Sequence, residues 1–158
     1  MKTDFSPDTD NEDIPLPDFL TYRISKVQAK LNAQASAILS KYAGLTLSQW
    51  RVLALVGDAG ETRMSDVARG AALDKGLVSR NLKVLVEKGL ILTRQDHEDH
   101  RIQHLCLTAE GVEVFHTTLP KMRLRQNHLK SAVPPTELEA LYSALEKLEQ
   151  AADWRGGE

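Results

Sequence analysis

The sequence predicts a mainly α-helical fold with a small two-stranded β-wing, in which a lobe of short helices and one hairpin is joined to a region of longer helices. Three observations predict it. Long helical patterns occupy both ends of the chain, short helical patterns lie between them, and the last of these leads into two short alternating segments separated by a charged loop. With 158 residues, 42% of them hydrophobic, the chain suits one globular domain.

The N-terminal residues differ in composition from the rest of the chain. Residues 1–17 hold three prolines and many acidic residues and lack an apolar period, so we expect a flexible acidic arm there. Residues 1–18 carry a formal charge of −5, and since the whole chain carries −2, the remaining 140 residues carry −2 less −5, or +3. A polyanionic partner would therefore be bound by a few well-placed cations and not by a general positive field.

Apolar residues that recur at threes and fours predict a long first helix from about residue 18 to Gly44. A second helix should begin at residues 46–49 (TLSQ), which have the form of a capping box, because its side chains satisfy free backbone amides. A fifth helix is expected from Thr108 onward, and residues 136–139 (TELE) predict the start of the last helix by the same capping-box form. That helix has an apolar stripe formed by Leu138, Leu141, Leu145 and Leu148.

The middle of the chain has the pattern of a helix, a tight turn and a second helix. Residues 64–71 predict the first of these helices, and Asp74 would cap the second. At about 100° per residue, the second helix has one apolar face and an opposite polar face. The apolar residues are Val78, Leu82, Leu85 and Val86, and the polar face comprises Gly76, Ser79, Arg80 and Lys83, with Lys75 at its edge. This arrangement is typical of a helix-turn-helix, whose second helix enters the major groove of DNA.

Two features make this helix a candidate for contact with base edges. Gly76 and Ser79 are small enough to let the backbone approach the bases, and the guanidinium of Arg80 can bind guanine through two hydrogen bonds. A hairpin follows over residues 90–107, with a charged loop at 96–101. A helix-turn-helix followed by such a hairpin predicts a winged helix-turn-helix lobe over residues 46–108. Candidate phosphate contacts in this lobe are Arg63 and Arg94.

The order of these elements resembles the MarR family of winged helix-turn-helix regulators over about residues 19–153. The most specific motif is DHRIQHLCLT at residues 99–108, which has the family's D-x-R and L-T wing pattern. Supporting motifs are LSQWRVL at 47–53, MSDVA at 64–68 and LVEKGLI at 85–91. The resemblance implies that Arg101 enters the minor groove, where narrow A·T-rich DNA concentrates negative potential, and that Asp99 braces it. Many family members have a second cation beside this arginine, where this chain has His100.

The resemblance also implies a homodimer held by the first, fifth and last helices. Residues 18–45 and 109–153 are accordingly assigned to a helical dimerisation region. An effector cavity is implied between that region and the DNA-binding lobe, and an aromatic wall with a cation would suit a small aromatic acid. The candidate effector-binding residues are Tyr22, Arg23, Trp50, His116 and Arg123.

These features predict a homodimeric, sequence-specific regulator that binds double-stranded DNA at a pseudo-palindromic operator, acts as a repressor and is released by an effector. We expect neither enzyme activity nor a cofactor or metal. A cytoplasmic location without membrane contact is expected, because no apolar run approaches the roughly 20 residues of a membrane span and the acidic N-terminus does not resemble a secretory signal. One cysteine, Cys106, cannot form an internal disulfide.

Two other interpretations stay open. One is a winged-helix module that binds proteins and not DNA, which the mild charge of +3 allows. The other is a metal-dependent enzyme that uses the wing residues His97, His100, His104 and Cys106, since imidazole and thiolate bind zinc. The absence of a glycine-rich phosphate loop and of a recognisable nucleophile with its base disfavours the enzyme. A steep loss of affinity with rising salt would distinguish a DNA-binding protein from a protein-binding module.

Overall fold

The computed structural model describes residues 14–96, 99 and 102–153. Within these residues the chain is mainly α-helical with one small antiparallel sheet, which confirms the predicted class. After a 3-10 helix at Leu16–Asp18, the elements are α1 Leu20–Tyr42, α2 Leu47–Ala59, β1 Glu61–Arg63, α3 Met64–Gly70, α4 Lys75–Glu87, β2 Ile91–Gln95, β3 Gln103–Leu107, α5 Ala109–Ser131 and α6 Pro135–Ala152. Across the described ranges, no helix is long and apolar enough to cross a membrane.

The hydrophobic core is centred on α2, which packs against α1, α4 and α5. Three α2 side chains, Val52, Leu53 and Val56, are fully buried. Gly57 allows α5 to lie close to α2, because a Cβ atom at this position would lie 2.8 Å from the ring of Phe115. The rest of the buried cluster includes Leu39, Leu45, Trp50, Val67, Val78, Leu82, Leu85, Ile91 and Leu105. One core therefore joins the long helices to the helix-turn-helix and the sheet.

Side-chain caps fix two of the helix starts that position the lobe. At α2 the capping box is confirmed: the Gln49 amide donates to Thr46 Oγ1 at 3.2 Å, and the Thr46 amide donates to Gln49 Oε1 at 3.0 Å. At α4, the Leu77 amide donates to Asp74 Oδ1 at 2.8 Å. The capping box predicted at residues 136–139 is wrong, since α6 begins at Pro135 without a side-chain cap. Proline suits the first position of a helix because its ring fixes φ near the helical value. The amide proton that proline lacks would have no partner within the helix at this position.

The sheet has three strands in the order β1-β3-β2, one more than predicted. Gly60, with φ of 75°, turns the chain directly after α2 and brings β1 beside β3, where Arg63 lies opposite His104. The predicted hairpin is confirmed as β2 and β3, with Arg94 also opposite His104. A three-residue strand is too short for an alternating pattern to reveal, so β1 could not be recognised from its sequence.

The outer helices bury few residues within one chain. No residue of α6 is buried, and α1 buries only Ala35 and Leu39. Arg125 of α5 holds α1, because its guanidinium donates to the Leu31 carbonyl and to Gln34 Oε1, each at 2.9 Å. Partial burial lowers the pKa of Arg125.

The predicted division into arm, lobe and dimerisation region stays a prediction. Residues 1–13 of the predicted arm lie outside the described residues. Residues 16 and 17, which were assigned to the arm, begin the short 3-10 helix that precedes α1.

Candidate nucleic-acid interface

The helix-turn-helix is formed by α3, a four-residue turn and α4. Ala72 in this turn has φ of 50°, a left-handed conformation that residues with a side chain rarely adopt. The inner face of α4 contacts the core through Val78, Leu82 and Leu85, as predicted. Val86 was predicted to join them but is 37% exposed, and it lines an open pocket with Lys83 and Glu87 of the same helix.

The opposite face of α4 is open to solvent. Its predicted DNA-contacting residues are all exposed: Lys75, Gly76, Ser79, Arg80 and Lys83. A Cβ atom at Gly76 would lie 3.5 Å from Arg80 Nη1, so the arginine side chain lies close to the glycine. Lys83 Nζ lies 3.9 Å from Glu87, whereas Lys75 and Arg80 form no ion pair with any described residue. The N-terminal half of α4 therefore presents two exposed cations that form no ion pair within the described chain, with the Asp74 carboxylate also close to Gly76.

Asn81 holds α4 from its buried side and was missed by the sequence analysis. It is 7% exposed, its Nδ2 donates to the Leu77 carbonyl at 2.9 Å, and its Oδ1 accepts from Ser48 Oγ at 3.4 Å. Ser48 lies in the first turn of α2, so the start of α2 is hydrogen-bonded to α4. The spacing could have shown this, because Asn81 lies three residues after Val78 and therefore on the inner face.

The outer face of the sheet carries a network of contacts among acidic and basic side chains. Glu61 of β1 accepts from Arg94 Nη2 at 2.8 Å through Oε2, and its Oε1 lies 3.3 Å from His104 Nδ1. The other ring nitrogen of His104 lies 2.9 Å from Asp96 Oδ2. Arg63 is exposed at the same register. Of the two predicted phosphate contacts in this sheet, Arg94 is therefore paired with a carboxylate.

The tip of the wing is only partly described. Arg101, His97 and His100 lie outside the described residues, so the minor-groove contact of Arg101 stays a prediction. Asp99 is exposed, and its amide donates to Asp96 Oδ1 at 3.1 Å. In the part of the chain that the structure describes, no three His, Cys, Asp or Glu side chains are grouped to hold a metal ion.

A cleft of about 490 Å³ lies between α2, the α3–α4 turn and α5. Trp50 and Phe115 form its aromatic wall, with stacked rings whose centroids are 6.2 Å apart. Of the predicted effector residues, only Trp50 lines this cleft. The others are exposed elsewhere: Tyr22, Arg23, His116 and Arg123. Arg51 and Asp58 also line the cleft and were missed, although residues 51, 54, 55 and 58 follow the spacing i, i+3, i+4, i+7 along α2, which could have indicated a shared face.

The fold is that of a winged helix-turn-helix protein. A family model described as the MarR family matches residues 43–102, which extend from the end of α1 through the wing loop. Over this central segment the chain is similar to the MarR family, and the relatives that it matches are named as transcriptional regulators. This similarity confirms the resemblance that the wing and helix motifs predicted.

Known proteins are similar to this chain in sequence and in structure. The uncharacterized HTH-type transcriptional regulator YdgJ of Bacillus subtilis is 28% identical over 105 residues, which are 66% of this chain and 64% of YdgJ. A MarR/EmrR family regulator from Acinetobacter sp. ADP1 matches with a TM-score of 0.78 and 26% identity, over 89% of this chain and 99% of that chain. BpsR of Bordetella bronchiseptica, whose DNA binding is regulated by 6-hydroxynicotinic acid, matches in fold with a TM-score of 0.77, 20% identity and coverage of 90% and 99%.

Proposed function

We propose that this protein is a homodimeric transcriptional repressor that binds a pseudo-palindromic DNA operator through α4 and responds to a small-molecule effector. One observation carries the proposal: the N-terminal half of α4 presents exposed Arg80 and Lys75 without an ionic partner in the described chain, while Asn81 anchors the buried side of the same helix. A helix whose buried face is hydrogen-bonded to the core and whose exposed face carries cations can enter the major groove with a fixed orientation.

Contacts with DNA would divide into two kinds. Arg80 can bind guanine edges in the major groove, with Gly76 and Ser79 giving the backbone room to approach. Arg63 and Arg94 on the sheet, together with Lys83, would bind phosphates and fix the register. Arg101, braced by Asp99, would enter the minor groove. A protein bound across an operator in this way excludes other proteins from the same DNA, which is the simplest route to repression.

A homodimer is supported by the apolar surface that one chain leaves uncovered. Large apolar residues are exposed along α1, α5 and α6 and on the 3-10 helix, and a partner that covered them would remove apolar surface from water. These residues are Leu16, Phe19, Leu20, Tyr22, Ile24, Val27, Val112, Leu124, Leu141, Tyr142 and Leu145. A second copy of the chain would cover them and place two α4 helices on one side of the dimer.

The cleft beside Trp50 is the proposed effector site. Its size lies in the range of small-molecule pockets, and its wall includes Gly70, Ala71 and Ala72, which lead into α4. A ligand there would contact the turn that sets the position of α4. It would therefore bind the DNA-bound and free conformations with different affinity, which is the requirement for regulation. The regulation of BpsR by an aromatic acid supports an effector of this size.

Selection of DNA from a random pool with the full-length protein tests the proposal. We expect enrichment of an inverted repeat whose half-sites are separated by about one helical turn, and affinity for it should fall steeply as salt rises. Sedimentation of the protein with the selected DNA should show two chains per duplex. Failure to enrich any sequence, together with binding that salt does not change, would favour the protein-binding module instead.

A further inference from the structure

The effector cleft holds two opposite charges that have no partner in the described chain. Arg51 and Asp58 both line it, and neither forms an ion pair or a side-chain hydrogen bond with any described residue. They lie seven residues apart on α2, so helix geometry places them on nearly the same face with their Cα atoms about 10 Å apart. A cation thus stands at one end of the cleft and an anion at the other.

The surface between these charges is apolar and aromatic. Ala54 and Leu55 occupy the turn of α2 between Arg51 and Asp58, and the stacked rings of Trp50 and Phe115 lie beside them. An aromatic ring would fill this middle part of the cleft by displacing water from apolar surface. The wall therefore has three zones along α2, in the order cation, apolar surface and anion.

We infer that the cleft binds an aromatic ligand with a carboxylate at one end and an ammonium group at the other. This inference rests on the proposed effector site and names the chemical class of its ligand. A simple aromatic acid would pair with Arg51 but leave Asp58 unpaired near a second negative charge. An aromatic amine would leave Arg51 unpaired in the same way. A ligand with both groups pairs each charge and removes both repulsions.

The test uses three compounds that share one ring and differ only at its para positions: 4-(aminomethyl)benzoate, 4-methylbenzoate and 4-methylbenzylamine. Calorimetric titration of the full-length protein without DNA should show that 4-(aminomethyl)benzoate binds about fivefold more tightly than either of the others, because each rim-exposed ion pair adds a modest gain. Asp58→Asn should abolish the preference over 4-methylbenzoate and leave the affinity for 4-methylbenzoate itself unchanged or higher.

Further variants separate ligand recognition from general damage to the fold. Arg51→Gln should abolish only the preference over 4-methylbenzylamine, and Asp58→Glu should retain the full pattern. Asp153→Asn, an exposed aspartate outside the cleft, should change none of the three affinities. These four variants affect side chains that are exposed or half-buried, so the fold should survive each change.

Equal affinities for the three compounds, no binding by any of them up to about 10 mM, or a preference that persists in Asp58→Asn would overturn the inference. Titration without DNA keeps this result independent of the proposed function. If the ligand pattern appears but no DNA sequence is enriched, the regulatory proposal fails and the assignment of the ligand class stands. If DNA is enriched and the pattern is absent, only the ligand class fails.

Discussion

Helix α4, the proposed recognition helix, and the three-stranded sheet that contains the wing present their cations in opposite ways. On α4, Arg80 is exposed and forms no ion pair with an acidic residue of the same helix in the described structure. In the wing, Arg94 is already bound to Glu61 at 2.8 Å, and Glu61 also contacts His104. A phosphate that binds Arg94 must compete with Glu61, whereas a guanine that binds Arg80 would have no described ion pair to break. Affinity and specificity should therefore depend more on the helix than on the described part of the wing.

The two regions also differ in how they are attached to the core. Helix α4 is attached through the buried side chains of Val78, Leu82 and Leu85, and the hydrogen bonds of Asn81 and of the Asp74 cap add to this attachment. The wing is attached through close backbone packing where β3 leads into α5. There Thr108 donates through Oγ1 to the Gly89 carbonyl at 2.6 Å and accepts from the Gly111 amide at 2.9 Å. Added volume at the junction of β3 and α5 should therefore be tolerated less well than added volume on the outer face of α4.

The largest expected effect follows from Gly111→Ala. A Cβ atom at Gly111 would overlap the carbonyl oxygen of Leu90, which also accepts a hydrogen bond from the Thr108 amide at 3.1 Å. Backbone cannot move aside as a flexible side chain can, so we expect a loss of about 3 kcal/mol in the free energy of unfolding. Urea denaturation followed by circular dichroism measures it.

Gly76→Ala is the matched control for this substitution. Its added methyl group would meet only the ends of the Asp74 and Arg80 side chains, at 3.2 and 3.5 Å, and alanine favours the helical backbone. Stability should stay the same or rise by up to about 1 kcal/mol. Similar losses of stability in both variants would contradict the prediction that the junction of β3 and α5 has no room for a methyl group whereas the outer face of α4 has room.

The second effect is on DNA affinity and concerns Arg80→Ala. Loss of a bidentate contact with guanine should weaken binding to the selected operator by about 1–3 kcal/mol, which is roughly 5- to 150-fold. Affinity for random DNA should fall much less, because that binding depends on phosphate contacts. Fluorescence anisotropy with both DNAs at one salt concentration gives the comparison.

Arg123→Ala removes an exposed arginine from α5 and should leave both affinities unchanged. An equal loss on operator and random DNA in Arg80→Ala would assign Arg80 to phosphate contact. No loss on either DNA would mean that α4 does not make the specific contact with DNA. The proposed difference between α4 and the wing would then be wrong.

The periodicity of apolar residues was enough to predict the helices and the hairpin, because each of them is long enough for a repeating pattern to be recognised. Position along α4 also predicted the exposed face at Ser79 and Arg80 correctly. Two features could not be predicted in this way. Glu61 lies beside Arg94 only because a three-residue strand pairs across β3, a contact between distant parts of the chain. The cleft likewise depends on how α5 lies over α2, and no local pattern encodes that packing.

The smallest expected effect tests whether Glu61 restrains the wing. Glu61→Gln removes a carboxylate that holds Arg94 and would repel phosphate, so affinity should rise about two- to threefold for operator and random DNA alike. The dependence of log affinity on log salt should become steeper by about one, as expected when one more cation contacts phosphate. Anisotropy titrations over a salt series measure both changes.

A double-mutant cycle with Arg94→Ala then separates the two roles of Glu61. With Glu61 present, Arg94→Ala should weaken DNA binding by less than about fivefold. The reason is that Arg94 is already paired with Glu61 and is therefore less available to phosphate. In the Glu61→Gln background the same substitution should cost more, since the arginine is then available to phosphate. Equal costs in the two backgrounds would mean that Glu61 acts on DNA by repulsion alone and does not restrain Arg94.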